Sequence, residues 1–191
     1  MNRRLVAAAL LGAAGLVLSG CATPPMAPPQ ATLDNIQALR AANLTSMKVG
    51  AFTAGPGRPQ EMDKRIVVRA GAQAAPNGSY ARYLADTIRA ELDGGGRFDA
   101  NSATMLSGVI TDSHVDSGMP VGHASLAVRF TLTRDGKVVF EKTLSVDTAW
   151  ESAFMGVVAI PDAFNHYTGL FNEITTKLFA DPDFRAAAKA G

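Results

Sequence analysis

Alternating apolar and polar positions dominate the second half of the chain. The alternation has a period of two and predicts strands over 103–115, 125–133 and 137–150. A turn over 116–122 separates the first two strands, and Asp135-Gly136 is a typical hairpin dipeptide between the last two. We therefore expect an antiparallel meander with one buried face and one face in water.

The parity of each strand assigns its side chains to a face. In the first strand, one face has Met105, Val109 and Val115, and the other has Leu106 and Ile110. In the next two strands the expected core side chains are Leu126, Val128, Phe130 and Leu132, then Val138, Phe140, Leu144, Val146 and Trp150. The second and third strands should therefore share one half-buried face.

Apolar positions three and four residues apart predict two main helices. The first begins after Ser79, a favourable N-cap, and ends at Gly94-Gly95-Gly96. The second is expected to begin at Pro161, because proline is favoured in a first helical turn. Its apolar stripe is Phe164, Tyr167, Phe171, Ile174 and Leu178. Shorter helices are expected over 32–43 and from the cap Asp181 through Lys189.

The first half of the chain adds two short strands, over 46–53 and 65–69, with loops at 55–59 and 70–78. The resulting order is β-β-α-β-β-β-α. The predicted fold class is α+β, a two-layer sandwich in which a mostly antiparallel sheet of about 4–5 strands carries two main helices on one face.

The amino-terminal 21 residues have the pattern of an export signal. Two arginines precede an uncharged run from Leu5 to Val17, and Leu18-Ser19-Gly20-Cys21 follows. This stretch resembles a bacterial lipoprotein signal. The resemblance implies that residues 1–20 are removed and that Cys21 carries a thioether-linked diacylglycerol and an acylated amino group.

Two other interpretations of this stretch are a transmembrane helix and an ordinary cleaved signal. A transmembrane helix needs about 20 apolar residues, and Leu5–Gly20 is shorter than that. An ordinary signal would leave the only thiol of the chain free in an oxidising compartment. Lipidation removes that difficulty, so the lipoprotein interpretation is favoured.

A proline-rich stretch follows Cys21, with four prolines between Ala22 and Gln30. Its composition favours an extended, semi-rigid spacer. We therefore divide the mature chain into an acylated tether over 21–32 and a single α+β periplasmic domain over 33–191. Ala22 stands where an aspartate would resemble an inner-membrane retention signal, so the expected location is the periplasmic face of the outer membrane.

Composition and charge exclude several classes of function. Without the two arginines of the signal, 16 basic side chains face 17 acidic ones, which gives no electrostatic footprint for nucleic acid. The same balance provides no polybasic patch for anionic lipid. A single cysteine, itself the predicted lipidation site, allows no disulfide framework and no cysteine-based zinc site.

The candidate metal ligands are Asp112, His114 and Asp116, which share one strand face, and His123, which returns near His114 if the next hairpin closes around Met119. A solvated strand end explains the same residues, and their spacing matches no named ligand motif.

His166 forms an ordinary solvated pair with Asp162. The sequence lacks a nucleophile elbow, a Walker loop and a Rossmann loop. We therefore expect no metal, no cofactor and no catalysis, with a metal-dependent hydrolase as the remote alternative.

The stretch from Ser152 to Pro161 is uncharged over ten residues. It could enter the core as a strand or hairpin, since apolar runs are usually buried. It could instead form an exposed apolar patch, which on a soluble domain marks a partner or lipid surface. The contacts would then be Trp150, Phe154, Met155, Val157, Val158 and Ile160. The loop at 55–59 could form a lid or rim beside it.

The mature chain resembles small outer-membrane lipoproteins of the YajG type and, more distantly, LptE. The resemblance is carried by the lipobox, the proline-rich tether, the helix after Ser79, the hairpin at Asp135-Gly136, the long closing helix and Glu151-Ser152-Ala153-Phe154. YajG-type proteins have no established activity. The LptE likeness implies a structural plug or chaperone for a β-barrel partner that handles lipopolysaccharide.

The sequence therefore leaves two functions open. The first is a non-catalytic envelope lipoprotein that serves as an accessory or assembly subunit for a membrane-protein partner. The second is a lipid-binding auxiliary module of an ABC-type lipid transport system, with a groove for the lipid between the sheet and the helices. Both keep the membrane, reached through Cys21, as a partner, and neither involves nucleic acid.

The anchor predicts a definite mass for the processed protein. We expect the mature chain to begin at Cys21 and to carry acyl mass on that residue, because the lipobox places the cleavage directly before it. Intact-mass measurement on protein from membranes checks this. A mature species without acyl mass at residue 21 would contradict the lipoprotein interpretation.

Overall fold

The computed structural model describes residues 26–189; the predicted signal and Cys21 lie outside them. These residues form five α-helices and six strands. The helices are α1 (Leu33–Ala41), α2 (Arg58–Met62), α3 (Tyr80–Gly94), α4 (Gly156–Ala180) and α5 (Pro182–Ala187). The strands are β1 (Lys48–Ala54), β2 (Arg65–Val68), β3 (Gly71–Ala74), β4 (Thr104–Asp116), β5 (Val121–Arg134) and β6 (Lys137–Glu151).

The main sheet has four strands in the order β1-β4-β5-β6. Strands β4, β5 and β6 form the predicted antiparallel meander, and Asp135 and Gly136 both have positive φ, as the tight hairpin turn between β5 and β6 requires. Strand β1 pairs in parallel with β4, because the long connection through α3 returns the chain to the same end of the sheet. The sheet is thus mostly antiparallel with one parallel edge strand.

The second predicted strand lies outside this sheet. Strand β2 pairs with β3 in a separate two-stranded hairpin. The predicted loop over 70–78 is wrong at β3, whose residues Gly71–Ala74 are too small and too weakly alternating to show a strand period. The predicted loop over 55–59 also needs correction, because α2 begins at Arg58 with Pro59 in its first turn. Gly55 N–H donates to Ile110 O at 2.8 Å, so this stretch is bound to β4 and is not a free lid.

Helices α3 and α4 cover one face of the main sheet, so the core lies between two layers. The apolar stripes predicted for both helices are buried, and so are the predicted inward side chains of β5. The fold class is therefore confirmed at the level of a two-layer α+β arrangement. The short helices expected over 32–43 and after Asp181 are present as α1 and α5, whereas α2 and β3 were not predicted.

A register shift between Ile110 and Asp112 changes the faces of β4. It brings Val115 to the buried face with Leu106 and Ile110, so the predicted assignment of Val115 to the opposite face is wrong. The shift also turns Ser113 inward. The hydroxyl groups of Ser113 and Tyr167 hydrogen-bond at 2.8 Å in the core, and burial raises the pKa of Tyr167.

Two further expectations fail for reasons of local geometry. Val138 is 60% exposed because a shift in register at the start of β6 pairs it with the outward-facing Thr133. Helix α4 begins at Gly156, five residues before Pro161. A proline lacks an N–H, so only one helical hydrogen bond is lost there, and the buried side chains on both sides keep the helix continuous.

The described part of the predicted tether lies against the domain. Thr32 caps α1, its side chain accepting from Asn35 N–H. The carboxylate of Glu91 on α3 is fully buried and accepts from Thr32 N–H at 3.0 Å, from Thr32 Oγ1 at 3.0 Å and from Asn35 Nδ2 at 2.9 Å. Met26 packs against the core. Residues 26–32 are thus held along α3 by a buried charge-assisted network.

Glu91→Ala should lower the free energy of unfolding by about 2–3 kcal/mol, because it leaves the buried amide of Asn35 and two half-buried donors of Thr32 without their acceptor. The change can be measured by urea denaturation. Glu173→Ala on α4 is the matched control; its exposed side chain should cost less than about 0.5 kcal/mol. Equal effects of the two substitutions would contradict the structural role of Glu91.

Candidate functional site

Three segments meet at one end of the domain. They are the β2–β3 turn at Arg69-Ala70, the β4–β5 turn over 117–120, and the stretch 152–158 that leads from β6 into α4. Ser152 N–H donates to Pro120 O at 2.9 Å, and Ser152 Oγ donates to Ser117 O at 3.2 Å. The second and third segments are therefore joined directly.

Arg69 connects all three segments. Its guanidinium donates to Ser117 O at 2.6 Å, to Phe154 O at 3.0 Å and to Ala153 O at 3.3 Å. The backbone of Arg69 has φ +52°, a left-handed conformation that is costly for a residue with a side chain. The three hydrogen bonds offset this cost, so the turn and its arginine hold this end together.

The surface of this end is apolar. Phe154 is 81% exposed and Val157 79%, and Met155 and Val158 are at least half exposed. Exposed side chains of the neighbouring segments extend the surface: Val67, Met119 and Val121. We call these seven residues the apolar end. Only Ser152 and Ala159 of the stretch 152–161 are buried, and four of its predicted contact residues are exposed to contact another molecule.

The other two predicted contact residues are placed differently. Ile160 is half-buried, and a β-carbon at Gly71 would collide with it, so it packs under the β2–β3 hairpin. Trp150 is only 8% exposed; its ring stacks on His166 with centroids 4.3 Å apart. The parity of β6 turns Trp150 inward with Leu144 and Val146. Trp150 therefore supports the apolar end from beneath and is not part of its surface.

The polar candidates lie on the opposite face of the sheet or bind one another. His114 Nε2 lies 2.7 Å from Asp116 Oδ2, and Gly118 N–H donates to Asp116 Oδ1 at 2.9 Å. The N–H of Gly118, aided by His114, holds the pKa of Asp116 below its usual value despite partial burial. Ser125 Oγ donates to Asp112 at 3.0 Å. These contacts are those of a hydrogen-bonded strand end.

The predicted metal ligands are brought near one another only in part. Asp116 and His123 are cross-strand partners, whereas Asp112, on the same face of β4 and on the same side of its register shift, lies four residues further along the strand and pairs across from Ala127. Within residues 26–189, no group of three or more His, Cys, Asp or Glu side chains is arranged to hold a metal ion. His166 lies 3.7 Å from Asp162, as expected for a pair four residues apart on a helix.

A groove of about 360 Å³ lies beside α4 and the start of α3, with Gln73 of β3 in its wall. Met26 and Ala27 occupy part of its wall, and Tyr83 Oη donates to Ala27 O at 3.3 Å. The rest of the lining includes polar side chains: Gln73, Asn165, Thr168 and Asn172. These four side chains interrupt an otherwise apolar lining, whereas an acyl chain offers no hydrogen bonds to satisfy them.

None of the helices between residues 26 and 189 combines the length and apolar character needed to cross a membrane. The apolar end is the largest group of exposed large apolar side chains in these residues.

Comparison with known proteins identifies the fold. No protein-family model matches the chain, and no curated protein matches it in sequence. A DUF330 protein from Xanthomonas campestris is similar in structure, with a TM-score of 0.51 and 19% identity over 85% of this chain and 91% of the other. The two share a fold. At this identity the likeness carries no function.

Two other solved structures are similar at lower scores. A candidate lipoprotein from Caulobacter crescentus has a TM-score of 0.47 and 14% identity, over 83% of this chain and 98% of its own. A minor lipoprotein from Acinetobacter baumannii has a TM-score of 0.38 and 11% identity, over 72% of this chain and 94% of its own.

Removing the Arg69 side chain should loosen the apolar end. In Arg69→Ala we expect the amides of Ser152, Val158 and Ala159 to exchange hydrogen roughly fivefold faster, because losing these bonds lowers the local opening free energy by about 1 kcal/mol. Native-state hydrogen exchange measures this.

Arg69→Gly distinguishes the effect of the side chain from the effect of the backbone conformation. Glycine adopts the left-handed conformation without strain, but it lacks the guanidinium. It should also speed exchange at the same amides, while amides of the hairpin at Asp135-Gly136 stay unchanged in both variants. Unaltered exchange at Ser152 in Arg69→Gly would show that the guanidinium does not hold this end.

Proposed function

We propose that this chain is a lipid-anchored, non-catalytic lipoprotein of the bacterial envelope, held at the periplasmic face of the outer membrane through Cys21. It acts as an accessory or assembly subunit for a membrane-protein partner. Phe154, Met155, Val157 and Val158 are its proposed contacts at the membrane, to a partner or to lipid.

The observation that carries this proposal is the apolar end. Monomeric soluble domains rarely leave so many large apolar side chains together in water, and such a patch marks a surface that another molecule covers. The uncharged stretch 152–161 supplies most of the patch, and Arg69 holds it in place at the cost of a strained backbone. A surface held in place in this way supports a role in binding another molecule and not only in folding.

Two lines of reasoning support the envelope location. The lipobox at Leu18–Cys21 implies an acyl anchor, and the likeness to YajG-type lipoproteins agrees with it. The groove between α3 and α4 gives less support to a lipid-binding module, because four polar side chains interrupt its lining and Met26 already occupies part of its wall. The accessory-subunit role is therefore the function that the structure favours.

Purification of the lipidated protein from detergent extracts of whole envelopes tests the proposal. We expect a membrane protein to co-purify in stoichiometric amount. In Phe154→Asp/Val157→Asp its recovery should fall by roughly tenfold or more, because each apolar side chain buried at a contact contributes about 1.5–3 kcal/mol.

Val138→Asp is the matched control. Val138 is an exposed valine at the opposite end of the sheet, so the same charge there should leave partner recovery unchanged. If no membrane protein co-purifies with the unaltered chain, the proposed role is wrong. Equal losses in the control and the double variant would show that the apolar end is not where the effect arises.

A further inference from the structure

The place where the chain enters the described structure lies beside the apolar end. Met26 lines the same groove as Pro161, in the second turn of α4, and Gln73 on β3. The apolar side chains Val157 and Val158 lie one turn earlier on the same helix, and Gly71, two residues before Gln73, packs on Ile160. The groove that Met26 lines therefore reaches the part of α4 that directly follows the apolar end.

The direction of the following residues agrees with this entry point. Ala27 contacts Tyr83 near the start of α3, and Thr32 contacts Glu91 near its end. Between these two contacts the chain runs along α3 and away from the apolar end. The chain thus enters at the start of α3, where Tyr80 Oη donates to Gln73 O on the β2–β3 hairpin, and not at the far end of that helix.

The covalent chain sets a short limit on that distance. Cys21 precedes Met26 by five residues, which span at most about 18 Å even when fully extended. An acyl-anchored sulfur lies at the bilayer surface. The point where the chain enters the domain is therefore held within about 18 Å of the bilayer surface, and the apolar end lies on the same side of the domain as the groove at that point.

We propose that the apolar end docks on the bilayer itself, with Phe154 and Val157 inserted at the boundary between headgroups and acyl chains. This proposal rests on the lipid anchor of the proposed function and identifies lipid as the occupant of that surface. The stretch 152–161 carries no charge, and the one arginine close to it is bound to backbone carbonyls. The side chains that would enter the boundary between headgroups and acyl chains are thus uncharged and apolar, as side chains that partition there usually are.

Charge and symmetry distinguish lipid from the other occupants. The mature chain has no basic cluster, so the docking should not require anionic lipid or low salt. A second copy anchored in the same leaflet has its apolar end directed the same way. Two apolar ends therefore cannot face each other while both anchors remain in the bilayer.

The test uses the lipidated full chain in protein-free vesicles of phosphatidylcholine and phosphatidylethanolamine. Acylation consumes the only native thiol, so Val157→Cys introduces a single site for an environment-sensitive fluorophore. We expect its emission to shift to shorter wavelength and to be quenched by doxyl-labelled lipid. The shift should persist at high salt and at about one protein per vesicle.

Val138→Cys is the control, since this exposed valine lies at the far end of the β5–β6 hairpin. The emission of a fluorophore at residue 138 should be that of a label in water, and doxyl-labelled lipid should not quench it. A label at residue 157 that behaves like the one at 138 would overturn the proposal, as would a shift seen only at high protein density, which would indicate a second copy.

The outcomes separate this inference from the proposed function. Insertion in protein-free vesicles without a co-purified partner would leave lipid docking intact and remove the accessory role. If a partner co-purifies and the label at residue 157 remains in water, the accessory role would stand and lipid docking would be ruled out. A processed chain lacking acyl mass at Cys21 would remove the anchor on which both depend.

Discussion

The packing of aromatic rings between α3 and α4 is the interaction on which the rest of this structure depends. Phe171 of α4 stacks on Tyr80 at 5.9 Å and meets the edges of Tyr83 and Tyr167 at 5.4 and 5.5 Å. These rings bury large apolar areas and prefer such offset and edge-to-face geometries. They lock the two helices together over one face of the sheet, and no disulfide is available to do so.

This packing also determines what is left exposed. The stripe from Phe164 to Leu178 fixes α4 on the sheet, so its first turn, at Val157 and Val158, has no sheet or helix to cover it. The β2–β3 hairpin approaches from one side and packs on Ile160, and Arg69 then binds the carbonyls around it. The apolar end therefore results from core packing that leaves the first turn of α4 uncovered, and Arg69 stabilises it.

Prediction from the sequence succeeded where a period ran long enough to be recognised. The stripes of α3 and α4, the inward side chains of β5 and the hairpin at Asp135-Gly136 follow from spacing alone. It failed at register shifts, since one added residue in β4 moves Val115 to the other face and the start of β6 exposes Val138. It also missed Arg69, because nothing local links residue 69 to carbonyls 48 and 85 positions away.

The sequence by itself determined the export pattern, the class of fold and the uncharged stretch 152–161, because each is a property of neighbouring residues along the chain. Only the tertiary structure decided that this stretch is exposed, that Trp150 lies beneath it and that Met26 enters beside it. Burial depends on which elements come to cover a segment. That in turn depends on packing between residues far apart in sequence, which no local pattern encodes.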